Sequence, residues 1–157
     1  MTITTQDVHR KAAELTAEGA PFALREFSVD GDRFRGFANA PANLVQLLQA
    51  GRAHGEATFL VYAGRRLSYR EFFAQADALA CELGSRYGIG RGDRIAIAMR
   101  NSPEWMIAFV AGALCGAILV PLNSWGKSQE LLHGLHDSGA RVLVCDSARH
   151  ALIDGAA

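Results

Sequence analysis

The stretch RGDRIAIAMRNSPEWMIAFVAGALCGAILVPLN, Arg91 to Asn123, constrains the fold more than any other, because it holds an unbroken apolar run from Met106 to Val120 that stops at Pro121. At the helical rise these residues span roughly 22 Å, short of a hydrocarbon core of about 30 Å, so a simple membrane-spanning helix is disfavoured. Gly112 and Gly116 interrupt the run, and its composition shifts across Gly116 from Ala/Met/Phe-rich to the β-favouring Ile118-Leu119-Val120. The run therefore reads as a helix, a glycine stop and a strand. Upstream, Arg94 to Met99 suits a short buried strand. Asn101-Ser102-Pro103-Glu104 then supplies a cap, a proline at the first helical position and an acid in the first turn. Strand, helix and strand joined by so short a crossover must run parallel, with the helix on one face of the sheet.

The remaining chain extends this pattern. Thr4-Thr5-Gln6-Asp7 can cap a first helix reaching to about Gly19, with Val8, Ala12 and Leu15 on one side. Phe22 to Val29 reads as extended, and DGDRFRGFANAP, Asp30 to Pro41, as an irregular connection. Pro41 suits the first position of a helix with Leu44, Leu47 and Leu48 in a stripe. Ala57 to Tyr62 is a strand, turned back by Ala63-Gly64-Arg65 into Arg66-Leu67. In LSYREF, Ser68 and Glu71 have the spacing of a reciprocal capping box, and Leu67 can staple onto Phe72. That helix continues through Ala76, Leu79 and Leu83 to Tyr87-Gly88, and GIGRGD turns the chain into the Arg94 strand. A helix with Leu131, Leu132 and Leu135, the turn Asp137-Ser138-Gly139 and a strand over 141–145 follow, and Ser147 begins a further helix. The fold class is α/β, a parallel sheet of strands 94–99, 117–121 and 141–145 with crossover helices. Residues 1–40 form a leader of helix and extended segment, and residues 41–157 the main domain.

Composition excludes some functions. The 157 residues carry 16 basic and 16 acidic side chains, so no field favours nucleic acid or an anionic membrane. MTITTQDVHRKAAEL lacks the apolar segment of a signal peptide, so a cytoplasmic protein without a transmembrane segment is expected. Cys81, Cys115 and Cys145, widely spaced beside apolar residues, read as buried free thiols.

Motifs that could carry chemistry are few. Gly88, Gly90 and Gly92 resemble half a dinucleotide-binding fingerprint, but they follow a helix and precede a strand, the reverse of what a pyrophosphate cradle requires. Arg91-Gly92-Asp93 matches a cell-adhesion tripeptide only by chance. His133 and His136 lie three apart on a helix, as two metal ligands can, yet only Glu130 and Asp137 stand near them, so solvated histidines are the expectation. His133 and Asp137 match a short His-x-x-x-Asp acyltransfer pattern too brief to carry weight. Ser102 and Ser138 lack a nucleophile elbow and read as cap and turn. Trp105 and Trp125 could stack on a ligand, or serve as a packed helix start and a partly buried loop anchor. No Walker-type phosphate loop occurs in these residues.

A resemblance lies in the order of the segments. RRLSYREFFAQADALACEL, GIGRGDRIAIAMRNSPEWMIAFVAGALCGAILVPLN and ELLHGLHDSGARVLVCDS resemble, in that order, the N-terminal region of adenylate-forming enzymes: acyl-CoA synthetases, luciferases and adenylation domains. The leader from Ala20 to Gly64 is similar to the bacterial fatty-acid CoA ligase branch. The resemblance implies a partial N-terminal large domain of that fold, taken from an ATP-dependent ligase that activates a small-molecule carboxylate as its acyl-adenylate and passes it to CoA. ATP, Mg2+ and CoA are implied for the complete enzyme and none for this chain alone. The family's Ser/Thr/Gly-rich phosphate loop, its nucleotide-binding segments and its lid lysine would lie beyond Ala157. No catalytic, cofactor-binding or metal-binding residue therefore carries over, and the segment alone is expected to be inactive and to self-associate through an uncovered sheet. Relatives commonly have threonine where Lys127 stands, leaving Ser128 as the candidate cap. A non-catalytic binding domain that kept the scaffold is the alternative, and a nucleotide-binding oxidoreductase a third, weakened by the misplaced glycines.

Overall fold

The computed structural model describes residues 3–155. The chain divides into two compact units, one up to Asn43 and one from Leu44. In the first, α1 (Thr5–Thr16) starts with the expected Thr4–Asp7 capping box and buries no residue. It ends three residues before Gly19 because Phe22 N–H takes the Leu15 carbonyl at 3.1 Å and Ala17 is already extended. β1 (Leu24–Val29) follows, and then, where an irregular connection was expected, a second strand β2 (Asp32–Phe37) pairs antiparallel with it. Asp30 and Gly31 both take left-handed φ values, 51° and 93°, which a two-residue primed turn demands and an Asp-Gly pair supplies. Phe27 stacks on Phe34 across the ladder at 6.0 Å.

The second unit opens with α2 (Leu44–Gln49), continued by a 3-10 turn over Ala50–His54. The helix begins three residues after Pro41, which is therefore not its first position; Asn43, a residue type suited to the place just before a helix, directly precedes it. β3 (Thr58–Tyr62) and β4 (Arg65–Ser68) form a hairpin turned by Ala63-Gly64, with a register shift between Thr58 and Leu60. That shift leaves Phe59 to pack its ring on Tyr69 and Phe72, 4.4 and 4.9 Å away. α3 (Tyr69–Ser85) starts at the Ser68–Glu71 capping box, both halves of which form.

β5 (Arg94–Ala98), α4 (Pro103–Leu114) and β6 (Ile118–Pro121) realise the expected strand, helix and strand. α4 stops at Gly116, whose φ of 74° lets Ala117 N–H reach back to the Gly112 carbonyl at 3.0 Å. After α5 (Ser128–Ser138) and β7 (Val142–Cys145), α6 (Ser147–Asp154) closes the described chain. β5 lies between β6 and β7 and is parallel to both. Ile95, Ala96, Ile97 and Ala98 are consequently fully buried, as a strand covered on both faces must be. Ile95 and Ile97 pack with Ala111 and Ala108 of α4, while α5 packs on β5 through an element whose Leu131 is buried. The largest contact of the unit is α3 on α4, cemented by Phe72, Phe73, Ala76, Ile107 and Val110.

Candidate functional site at the carboxyl edge of the sheet

Three parallel strands release their chains on one edge, and in open α/β sheets ligands gather outside that carboxyl edge. Here β5 delivers Arg100, β6 delivers the loop from Asn123 to Lys127, and β7 delivers Asp146. Asp146 is the node. As the N-cap of α6 it accepts from Arg149 N–H at 2.9 Å, and it accepts from Arg100 N–H at 3.1 Å. Arg149, its side chain only 11% exposed, places Nη1 3.1 and 3.0 Å from the two carboxylate oxygens and donates from Nε to the Ser124 carbonyl at 2.9 Å. One ion pair thus ties together the ends of all three strands. Burial pushes the Asp146 carboxyl up, but the N–H groups of Arg149 and Arg100 and the Arg149 charge outweigh it and hold it below its ordinary value. Desolvation, then the nearby Arg149 charge, lowers the Arg100 guanidinium.

The 123–127 loop is braced from within. Asn123 donates to Glu130 at 2.9 Å and accepts from Trp125 N–H at 3.1 Å. Trp125 is 80% exposed and so is no partly buried anchor; the Arg100 guanidinium lies over its ring, 3.0 Å from the ring centre. Lys127 is the N-cap of α5 without a side-chain bond, and Ser128 is its first helical residue, so Ser128 does not replace the missing threonine. Trp105 does pack at the start of α4, stacked on Phe109 at 5.4 Å.

The other sequence candidates fall elsewhere. GIGRGD lies at the opposite, amino edge of β5, with Gly88 and Gly92 left-handed and the Asp93 carboxylate accepting from Gly90 N–H at 2.9 Å. An anion already occupies that amide, so the turn does not fit a phosphate. Arg141 pairs with Asp93 at 2.8 Å, and this bond, then the Gly90 N–H, holds the carboxyl below its usual range. His133, His136 and Asp137 are exposed on α5, and among the described residues no three His, Cys, Asp or Glu side chains gather as metal ligands. Ser138 donates to the Leu135 carbonyl at 3.2 Å, and Ser102 caps α4 without a side-chain bond to its amides. The cysteines are free as expected, but not buried: Cys81 is exposed, and Cys115 and Cys145 are half-buried with burial pushing both thiols up. Arg100, Asp146 and Arg149 were missed by motif reading; the available signal was an acidic cap directly after a buried strand with an arginine three residues on.

A family model for AMP-binding enzymes matches residues 47–157, the sheet and its crossovers together. The chain belongs to the AMP-binding enzyme family. It is 36% identical over 110 residues to the medium/long-chain-fatty-acid–CoA ligase FadD6 of Mycobacterium tuberculosis, a match covering 69% of this chain and 18% of that protein. It is 32% identical over 100 residues to the 2-succinylbenzoate–CoA ligase of Bacillus velezensis, covering 64% of this chain and 20% of that one. The chain thus spans a fifth or less of the length of these two relatives. Among solved structures, the N-terminal domain of FACL13 from Mycobacterium tuberculosis superposes with a TM-score of 0.66 at 28% identity, covering 72% of this chain and 29% of that one. The N-terminal subdomain of NpsA from Klebsiella oxytoca, in complex with anthranilyl-AMSN, gives 0.62 at 29% identity, covering 67% and 27%. The α/β architecture is therefore that of the N-terminal part of an adenylate-forming enzyme, and among the described residues no helix is long and apolar enough to cross a membrane.

Proposed function

We propose that the chain builds the first sheet of the large domain of an ATP-dependent acyl-CoA synthetase, residues 41–157 being the partial AMP-binding domain and 1–40 its leader. The observation that carries this is the family match over 47–157 on a parallel sheet whose carboxyl edge gathers polar groups. The complete protein activates a carboxylic acid in two half-reactions, first as the acyl-adenylate from Mg·ATP and then as the thioester with CoA, in the cytoplasm. A fatty acid is the proposed substrate, in keeping with the FadD6 likeness. Both half-reactions demand neutralised phosphate charge and aligned attack. The segments expected to meet those demands are a phosphate loop and a lid, neither of which is among these residues. This chain supplies the platform.

The test is the gene. Read in frame past Ala157, or across one disrupted codon, it should encode a Ser/Thr/Gly-rich loop ending in Lys-Gly, placed after a further strand. A genuine stop with no such loop in any downstream frame or neighbouring gene would retire the ligase reading and leave a scaffold-type binding domain. Isothermal titration of the 157-residue chain with Mg·ATP should show no one-to-one binding in the micromolar range. β6 and β7 are both edges of a three-stranded sheet, and Ile118 on β6 is 52% exposed, so the isolated chain should self-associate. Light scattering behind a sizing column reads this directly, and a monodisperse monomer would count against it.

A further inference from the structure

The register of β1 on β2 sorts the leader hairpin into two faces, because residues opposite one another, and every second residue along a strand, share a side. One face sets Glu26 beside Arg35 and Ser28 beside Arg33, with Leu24 and Phe37 at its open end. Arg33 pairs there with Glu26 at 3.8 Å, and the Phe22 ring meets Phe37 at 5.9 Å, so this face answers its own charges and rings. The other face carries Arg25 at the open end, Phe27 and Phe34 in the middle, and Val29 with Asp32 at the turn. Gly36, opposite Arg25, leaves room for the Phe27 ring, whose Cε1 would stand 2.7 Å from a Cβ added there. Phe27, Phe34 and Val29 are all about half exposed, and neither Arg25 nor Asp32 has an ion pair among the described residues. They stand about 13 Å apart along the strands, beyond each other's reach. A two-stranded ribbon with an uncovered aromatic face is marginal in water, so this face calls for a cover.

The order of charges says what covers it. A basic end, an apolar middle and an acidic end are self-complementary under a two-fold axis: when two such faces pack with their hairpins antiparallel, each Arg25 end lies over the Asp32 end of the other copy. With the hairpins parallel, like charges would meet. An anionic lipid surface would meet the carboxylates of Asp30 and Asp32 at the tip. We propose that the leader hairpin docks face to face on the same hairpin of a second copy, its phenylalanines at the centre and an ion pair between Arg25 of each copy and Asp32 of the other at the two ends. The patch is small, roughly 300 Å² a side from two half-exposed rings and a valine, against about 800 Å² in a standard interface, so the dimer is weak and exchanging. The inference needs neither the ligase reading nor the open sheet edges of the second unit.

Sedimentation of the full chain over about 5–500 μM tests this, with a reversible dimer of Kd about 100 μM expected at low salt. Arg25→Glu and Asp32→Lys should each weaken that dimer about tenfold or more, since two attractive pairs become two repulsive ones. Mixing these two variants should restore the parent's affinity, because in the mixed pair one ion pair is native and the other is reversed in sign. Only an interface in which position 25 of each copy faces position 32 of the other shows this rescue. Association through the sheet edges of the second unit is blind to both positions and would be equal in the parent, the single variants and the mixture. If circular dichroism shows that a reversal disturbs the hairpin, Arg25→Gln and Asp32→Asn replace it and should each weaken the dimer several-fold. A parent chain that stays monomeric throughout, association that no folded variant alters, or a mixture no tighter than its separate components overturns the proposal.

Discussion

The two units share local devices and put them to different use. Each opens a helix with a reciprocal capping box, Thr4 with Asp7 and Ser68 with Glu71, and each has a tight hairpin built on a left-handed pair, Asp30-Gly31 and Ala63-Gly64. In the leader these devices bury almost nothing: α1 has no buried residue, and Phe27, Phe34 and Phe37 remain 42%, 49% and 53% exposed. In the second unit the same devices aim Phe59, Phe72 and Phe73 into one cluster, and Phe72 is 1% exposed. Local signals place elements; burial decides what each is worth.

The largest expected effect follows from that difference. Phe72→Ala should destabilise the second unit by about 3–5 kcal/mol, the cost of a large cavity among ring and aliphatic neighbours. Phe27→Ala removes a ring that water already reaches, and should cost about 1 kcal/mol or less. Urea unfolding of the two variants checks both, and equal shifts in midpoint would break the contrast.

Next comes the node at the carboxyl edge. Asp146→Asn keeps the cap oxygen but leaves Arg149 without its carboxylate, and should cost about 2 kcal/mol at neutral pH. The pH dependence has a definite sign. The Asp146 carboxyl is held below its ordinary 3.8 in the fold, so its contribution is present above that value and is lost as pH falls through the lower, folded one. Acid titration of stability should therefore be shallower in Asp146→Asn than in the parent chain. An unchanged acid limb would remove Asp146 from the set of groups that hold this edge.

Much of the second unit was legible because its signals are both local and periodic. The Ser68–Glu71 box, Pro103 at the start of α4 and the Gly116 stop each correspond to one backbone hydrogen-bonding need. The leader was less legible because a two-residue turn rests on φ sign alone, and Asp30-Gly31 sits among glycines and aspartates that also suit an irregular loop. The candidate site was almost illegible. Arg100, Ser124 and Asp146 are brought together by strand order, β6-β5-β7, and no spacing along the chain encodes which strand takes the middle. Trp125 misled for the same reason, since a tryptophan in a loop suggests burial, yet this one is 80% exposed with the Arg100 guanidinium over its ring.

The smallest effects give the sharpest test, because the two capping boxes are chemically matched. In each, the hydroxyl accepts from the N3 amide at 3.2 Å and the N3 carboxylate accepts from the cap amide, at 3.1 Å in the leader and 2.8 Å at α3. Ser68→Ala removes a bond at the head of a helix packed on α4, so the loss is transmitted to the cooperative unit and should lower its stability by about 1 kcal/mol. Thr4→Ala removes the same bond from a helix that buries no residue; α1 should fray, with some loss of helical circular dichroism, while the main transition moves by less than about 0.5 kcal/mol. If both variants shifted that transition equally, stability would be reaching the leader through something other than burial, and the contrast between the units would fail.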